Sequence, residues 1–504
     1  MVKTKGSFGD KNLIALKSST LYTQSNFALT LSFVLVLILG LVSFDYATGA
    51  IKPMILGLAI ANGVFTLLQW YVTTRIKKDL LSQGNVRIQT RRLGYLQLLG
   101  LMTGNLFVTV FAFQLVKKEI VAEYIFACYM ILTQIVIIAL SALNIYKPYV
   151  ADLFPISMLI LLIFVVIEIV ILVIIAKYVK NDHISKRMGY LLLPLLLIAL
   201  SGNIFAVFIG IGILIKMGKY YDAETSKWDE VWRVITRNST AMLGMFFVIL
   251  MFAISVVSLF TFDYDMAIEN DYGAILQNPS LAYPLGTDNF GRDVYSRMIF
   301  GARISLIVGV TSTLIPAIIG GILGAVAGYY SERVDNVVMR LLDILYAIPG
   351  LLLAIAIIAA FGANTVNLII ALSVGAIPTY ARTMRANVLM VSNYEFVDAA
   401  RALGTGDREI IFRYIVPNSL SPMIVKATLT IGGAVIATSS LSYLGLGVEP
   451  HIPEWGNILK VGSTYLETHS YVAIFPGLAI IALVLSFNFL GDALRDALDP
   501  KMDS

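Results

Sequence analysis

The chain has 504 residues, 58% hydrophobic and 14% charged, with a mean hydropathy of +0.82 and a formal net charge of +5. Too few polar groups are present to cover a water-soluble surface, which excludes a soluble globular protein. The small positive balance sits in loops, as for a chain facing an anionic membrane leaflet, and argues against nucleic-acid binding.

Runs of about 20 apolar residues recur, each sufficient for a hydrocarbon core of about 30 Å. The alternating short segments of a barrel are absent. The expected fold class is all-α, a polytopic helical membrane protein of about twelve spans. Lys3, Lys5, Lys11 and Lys17 precede an apolar run from Phe27. Ala47-Thr48-Gly49 is a weak cleavage candidate, but the run over 27–46 exceeds a signal core of about 7–15 residues, so an uncleaved first span is expected. Six spans are expected before residue 220, at roughly 27–47, 51–73, 95–116, 122–145, 154–176 and 190–215. Residues 216–240 hold an amphipathic linker with Asp222, Glu224, Asp229 and Glu230 among basic residues. Six further spans follow, at roughly 241–262, 303–329, 340–361, 365–389, 418–443 and 471–491. The domains expected are therefore 1–215, the linker, and 241–504. The first region is plain aliphatic, and the second is rich in Gly, Pro and small polar residues that permit close helix packing.

Arg75, Lys77, Lys78, Arg87, Arg91 and Arg92 place the 74–94 loop in the cytoplasm. With an even span number both termini are cytoplasmic, the 390–417 break is inside, and the 263–300 and 445–470 segments are outside. Two clusters fit this badly: Lys177, Lys180, Lys186 and Arg187 in the first half, and Arg292, Arg297 and Arg303 in the second. Glu168 lies within an apolar span, where a carboxylate is protonated or paired, and a helix–helix hydrogen bond is expected. Cys128 is the only cysteine, which leaves no intrachain disulfide or thiolate metal site. His451 and Glu454 have rough metal-ligand spacing, but Pro453 separates them and no further ligand is near, so a surface loop is expected and no metal.

The most informative stretch is the polar break from Met390 to Pro417. Phe396, Ala399, Ala400 and Leu403 recur at i, i+3, i+4 and i+7, which gives a short helix one apolar face, with Glu395, Asp398 and Arg401 elsewhere. Gly404 supplies the left-handed backbone that ends this helix, and Thr405 is expected to cap a second, from Asp407 to Tyr414, which Pro417 halts. Periodicity alone leaves two readings open: a partner-binding helix pair, or an interfacial hairpin with no partner.

Glu395-Phe-Val-Asp-Ala-Ala-Arg-Ala-Leu-Gly404 with Ile415-Val-Pro-Asn418 resembles the coupling loop of ABC-importer permeases, Asp398 standing for the usual Glu. Leu285-Gly-Thr-Asp-Asn-Phe-Gly-Arg-Asp-Val-Tyr-Ser-Arg297 and Gly301-Ala-Arg-Ile-Ser-Leu306 resemble the C-type permease subunit of dipeptide/oligopeptide importers. So do Leu444-Gly-Leu-Gly447, Pro453-Glu-Trp-Gly-Asn457 and Asn488-Phe-Leu-Gly-Asp-Ala-Leu-Arg-Asp-Ala-Leu-Asp-Pro500. The resemblance runs from about Lys227 to Met502. It implies a permease subunit that forms half of a peptide pathway and pairs with a homologous B-type permease. It also implies two cytoplasmic ATPases carrying ATP and Mg, and a binding protein that delivers solute to the external segment. Glu395, Phe396, Asp398, Ala399, Ala400, Arg401, Leu403, Gly404, Ile415 and Pro417 would then dock one ATPase. This chain itself has no Gly-x-x-x-x-Gly-Lys-Ser/Thr to cradle a triphosphate, so no catalysis and no cofactor are expected in it.

Arg340 and Asp343, three residues apart at the start of a span, are spaced to pair on one helix face near a gate, or to anchor the helix at the interface. Arg382 and Arg385 have the same two readings. Pro316, Pro349 and Pro378 kink their spans. Candidate pathway groups are Ser312, Thr313, Ser373, Thr379, Thr428, Thr430, Thr438, Ser439 and Ser440, most of which are expected to satisfy helix backbones. The extra N-terminal spans carry no chemical motif and are expected to pack peripherally, in contact with membrane lipids. Competing readings are a self-contained secondary transporter, which needs inverted repeats and ionisable groups at the midplane, and a membrane enzyme, which needs a convergent catalytic set. Within the importer class, nickel complexes or sugars are alternative solutes.

Overall fold

The computed structural model describes residues 16, 19–44, 51–117, 121–147, 149–179, 184, 186–217 and 223–498, with the side chains of 186 and 223–227 left aside. The N-terminal lysines Lys3, Lys5, Lys11 and Lys17, the Ala47-Thr48-Gly49 candidate, Lys180, Asp222 and the last residues from 499 lie outside this description.

Along the chain run α1 (Thr20–Val42), α2 (Pro53–Gln83), α3 (Ile88–Gln97), α4 (Leu106–Val116), α5 (Ala122–Ala142), α6 (Phe154–Tyr178), α7 (Leu192–Ala199), α8 (Ile204–Met217) and α9 (Ala223–Arg237). They continue as α10 (Ser239–Thr261), α11 (Val294–Tyr329), α12 (Glu332–Tyr346), α13 (Gly350–Phe361), α14 (Thr365–Val391), α15 (Glu395–Ala402), α16 (Val416–Tyr443), α17 (Trp455–Ser463) and α18 (Tyr471–Leu498). The fold is all-helical. Among the described residues eight helices are long and apolar enough to cross a membrane, or nine when the bent α12–α13 pair counts as one span.

Several expected spans are broken, each for a local reason. The 95–116 stretch divides between α3 and α4, because Gly104 is left-handed at φ +72° and the Asn105 side chain caps α4 by accepting from the Val108 N–H at 3.2 Å. The 190–215 stretch divides at Gly202, φ +85°, against whose Cα position the Ala253 backbone packs too closely for a side chain. The 340–361 stretch bends by 79° between α12 and α13, where Pro349 precedes the second helix and disfavours helical backbone at Ile348. By contrast α11 begins nine residues before the expected 303, at Val294, because Asp293 accepts from the Tyr295 and Ser296 N–H groups at 3.1 and 3.0 Å.

The chain forms two compact units, one of residues 1–132, 167–192 and 208–221, the other of 133–166, 193–207 and 222–504. Two stretches of the N-terminal region, 133–166 and 193–207, thus belong to the second unit. The first unit has an apolar cluster of Ala28, Val72, Ile76, Leu80, Phe111 and Leu115 beside a polar ladder. In that ladder Gln69 donates to the Ser25 carbonyl at 3.0 Å, Gln97 to Gln69 Oε1 at 2.6 Å, and Asn105 to Ser32 Oγ at 2.7 Å. Such bonds hold helices together where lipid gives no hydrophobic drive. Glu168 is fully buried in α6, and Lys216, expected in the linker, is instead buried at the end of α8 on Glu123 at 2.6 Å.

In the second unit α11 packs along α14 and α16, and α18 along α10 and α16. Three apolar clusters stand along it. One, of Ala302, Leu306, Val435, Trp455, Ile458, Leu483 and Phe487, joins α11, α16, α17 and α18. A second surrounds Val308, Ala354, Leu368 and Leu441, and the third underlies the 390–417 break. The linker is helical as expected, with Val231 and Ile235 buried and Arg233 half exposed, bonded to Asp229 at 2.7 Å.

Candidate functional site

The 390–417 break folds as α15, a glycine stop and a wide helical turn. After α15 the Thr405 N–H donates to the Ala400 carbonyl at 3.1 Å and the Gly404 N–H to that of Arg401 at 2.9 Å, with Gly404 at φ +80°. This is the paired closure that favours glycine at a helix end. The apolar residues divide between two faces. Val397 and Ala400 point inward and join Ile410, Ile415, Val388, Val391, Met384, Tyr380, Ala325 and Met423 in one cluster. Phe396, Ala399 and Leu403 point outward, with Phe396 39% and Leu403 86% exposed. Ala400 therefore leaves the stripe in which the sequence pattern placed it, and Val397, absent from that stripe, anchors the helix.

The structure corrects two expectations about the residues between α15 and α16. Thr405 is not a cap, since the Asp407–Glu409 turn has Gly406 in the cap position. Pro417 halts no helix. Residues Ile410–Ile415 form a wide turn that runs directly into α16, whose first turn contains Pro417. A proline tolerates that place because its missing N–H is not needed there, and the wide turn absorbs the mismatch. Residues 407–443 are thus one helical rod, Asp407–Tyr443. The hairpin is tied to the end of α11: Tyr329 donates to Asp407 Oδ1 at 2.7 Å, and the Arg401 guanidinium lies 5.6 Å from the Tyr329 ring centre while bonding Asp398 at 3.2 Å.

At the same end α12 and α14 are joined by two ion pairs. Asp343 pairs with Arg382 at 2.6 Å, Asp335 with Arg385 through Nε and one Nη of the guanidinium, and the Arg382 guanidinium stacks 4.0 Å from the Tyr346 ring centre. Asp343 does not use Arg340, its neighbour in sequence, which is exposed. The pairing runs between helices, a geometry that i,i+3 spacing could not reveal.

The candidate pathway residues fare unevenly. Ser312, Thr428, Thr430 and Ser440 bond carbonyls four residues back in their own helices, and Thr379 bonds the Ala376 carbonyl. Thr313, Ser373 and Thr438 are buried with hydroxyls that meet no partner among the described residues. Ser439 faces Glu454 at 3.5 Å. Glu454 is buried, not at the surface: it caps α17 by accepting from the Asn457 N–H at 3.1 Å, and burial pushes its carboxyl above the ordinary range. His451 stays exposed. Lys426, missed in the sequence because it sits alone in an apolar run, donates to the Thr379 carbonyl and to Thr383 Oγ1, both at 2.6 Å. It staples α16 to α14 one residue after Pro378, which α14 holds within an unbroken helix, and edges a cavity of about 520 Å³ shared with Arg495.

The far end of this unit is the 262–293 segment. Asp288 accepts from the N–H groups of Phe290 and Arg292 at 2.8 and 3.0 Å and from Arg292 Nε at 2.8 Å, with Arg297 Nε at 3.6 Å. Arg297 also donates to the Ala267 carbonyl at 2.7 Å. Both arginines are buried, so they are structural charges and not the free loop cations the positive-inside rule counts. Gly291, at φ +78°, lies against the Asp271 carbonyl, where any side chain would collide.

A lipid-length helix bundle, with an exposed apolar helix face at one end and a sealed segment at the other, defines an integral membrane protein. Two family descriptions match, the binding-protein-dependent transport system inner membrane component over residues 318–504 and the N-terminal transmembrane domain of oligopeptide transport permease C over residues 226–279. A glutathione transport system permease protein of Pectobacterium atrosepticum is 43% identical over 277 residues, 55% of this chain and 92% of the relative. Its namesake from Escherichia coli is 42% identical over 281 residues, 56% of this chain and 93% of the relative. A chain of the MetNI methionine ABC transporter, in an inward-facing form, aligns at 20% identity with a TM-score of 0.34, covering 40% of this chain and 97% of that one. The chain belongs to the C-type permease family of peptide-class ABC importers, and it carries additional N-terminal helices.

Proposed function

We propose that this permease forms half of an import path for peptides, dipeptides, oligopeptides or glutathione-like solutes, across the cytoplasmic membrane. The names of the relatives support the solute class, since both are glutathione transport permeases. The observation that carries the coupling role is the two-faced α15. Val397 and Ala400 are locked into the core while Phe396, Ala399 and Leu403 are left uncovered. An apolar face backed by a rigid anchor suits insertion into a groove on another protein. We assign that groove to a cytoplasmic ATPase, one of two that hold ATP and Mg. A B-type permease completes the path, and a binding protein presents solute at the 262–293 segment. On this reading both termini and the 390–417 hairpin are cytoplasmic. Glu395, Asp398 and Arg401 rim the docking helix, Gly404 ends it, and Ile415 and Pro417 link it to α16. The second-unit gate would lie where Asp343 and Arg382 join α12 to α14, with Arg340, Ser373, Thr379, Thr438 and Ser439 further along the path.

The test is affinity purification of the full chain from its native operon context, with Leu403→Asp alongside. The wild-type chain should bring down two ATPases and a second permease. Leu403→Asp should lower ATPase recovery by about tenfold or more, because a charge replaces a central apolar contact, while membrane insertion stays normal. Equal ATPase recovery with both chains would remove the docking assignment. ATP-independent solute accumulation by the purified chain in vesicles would remove the importer reading altogether.

A further inference from the structure

Lys147 follows the last turn of α5, in a stretch that precedes both family-matched ranges. Its ammonium is 2% exposed and lies 2.6 Å from Asp293 Oδ2, itself fully buried. It donates to Ser296 Oγ at 2.7 Å, and Ser296 Oγ donates to Asp293 Oδ2 at 2.7 Å. The Phe262 and Tyr295 rings flank it at 5.2 and 5.1 Å. Asp293 is the residue that caps α11, and its own N–H donates to the Met266 carbonyl at 3.1 Å. The surrounding residues make the same connection. Asn144 donates to the Thr261 carbonyl at 2.8 Å, Ser141 and Thr261 share a bond at 3.2 Å, and Tyr295 donates to the Leu140 carbonyl at 2.8 Å. The stretch 140–147 thus grips the last turn of α10 and the first turn of α11, the two posts between which the 262–293 segment hangs.

We infer that Lys147 is a positioning residue for transport: supplied by the added N-terminal region, it fixes Asp293 and so holds the 262–293 segment in its working shape. The inference rests on the importer reading for the word transport, but the holding itself does not. The physical ground is that a buried carboxylate needs a compensating charge as well as its hydrogen bonds. In this chain Lys147 supplies that charge from ahead of both family-matched ranges. The added stretch 140–147 is then a working part of the subunit and not a removable appendage.

The experiment has two readouts on the full chain in nanodiscs or in the assembled importer. Backbone hydrogen exchange follows the segment directly. Lys147→Met should speed exchange across 262–293 by about tenfold or more while leaving 395–417 unchanged, because local opening is measured region by region. Lys147→Arg should stay close to wild type. The double variant Lys147→Met with Asp293→Asn should exchange more slowly than Lys147→Met alone, since no uncompensated charge then remains. Uptake by the assembled importer supplies the second readout: Lys147→Met should raise the half-saturating concentration of loaded binding protein and leave the maximal rate nearly unchanged. Unaltered exchange in Lys147→Met, or a double variant worse than Lys147→Met, overturns the inference. A wild-type importer that shows no dependence on a binding protein overturns the functional reading instead, and the exchange result still decides the positioning role. If Lys147→Met fails to insert, Asp293→Asn with and without Lys147→Met gives the same comparison in a cap that keeps its hydrogen-bonding oxygen.

Discussion

The two ends of the second unit are built on opposite plans. In the 262–293 segment the charges are buried and paired: Asp288 with Arg292 and Arg297, Asp293 with Lys147. In the 390–417 hairpin and at the Asp343–Arg382 pair of α12 the charges lie in the open, only Asp335–Arg385 being partly buried, and an apolar face is left bare. The first arrangement carries its own partners and is sensitive to the loss of any one of them. The second leaves Phe396 and Leu403 uncovered, and its exposed charges contribute little to holding the chain together. Chemistry so similar, carboxylates facing cationic side chains, is therefore sealed inside the fold at one end and left open to solvent at the other.

The sharpest break of this comparison comes from Asp288→Asn. The amide oxygen can still accept from the Phe290 and Arg292 N–H groups, but Arg292 and Arg297 lose their counter-charge in a buried site. Removing one partner of a buried pair costs about 3–5 kcal/mol. The expected result is a large fall in the thermal midpoint of the detergent-purified chain, or failure to accumulate in the membrane. A shift no larger than that of a surface variant would mean that the segment is not a sealed element.

A middle-sized effect is expected at Gly404. Among the described residues nothing lies within 4 Å of where its Cβ would be, so a side chain has room, but φ is +80°. A β-branched residue in left-handed backbone costs about 1–2 kcal/mol, and Gly404→Val should loosen the end of α15 without a clash elsewhere. Uptake and ATPase recovery should fall several-fold while the thermal midpoint hardly moves. Gly404→Asn, which tolerates this backbone better, should fall between. Identical results for the two variants would show that volume, and not backbone conformation, is what the position selects.

The hairpin side of this division was legible in the sequence; the buried charges of the other side were not. Helix periodicity and Gly404 located α15 and its stop, and the apolar runs located the bundle. What was hidden depended on contacts between distant residues. Whether Ala400 belongs to the outer or inner face is decided by Val388, Ile410 and Met423 packing on it. Arg382 stood near a span end with nothing to say that its partner was Asp343, 39 positions earlier. Arg292 and Arg297 counted as loop charges until burial took them out of the count. Lys147 lay in a region without motifs, and only the fold brings it to Asp293, which does sit in one. The broken spans at Gly104, Gly202 and Pro349 had their signals in plain view, but an apolar average over 20 residues does not register a single left-handed glycine or a proline.

The smallest expected effect on stability concerns the pair between α12 and α14. Asp343 and Arg382 are each about half exposed, so their mutual attraction is screened by solvent and is worth less than about 1 kcal/mol. Asp343→Asn should leave the thermal midpoint nearly in place. Transport is a different measurement, because α12 turns 79° away from α13 and its hold on α14 at this end runs through Asp335 and Asp343. If that pairing sets how α12 moves when the hairpin is pulled, Asp343→Arg and Arg382→Asp should each lower ATP-driven uptake, and the two together should recover part of the loss. Recovery in the double exchange would separate a contact used in motion from one used in folding, which is the difference between the two ends. A double exchange that is additive, with uptake as low as the product of the single losses, would instead assign both residues to independent roles and remove the α12–α14 pair from the coupling path.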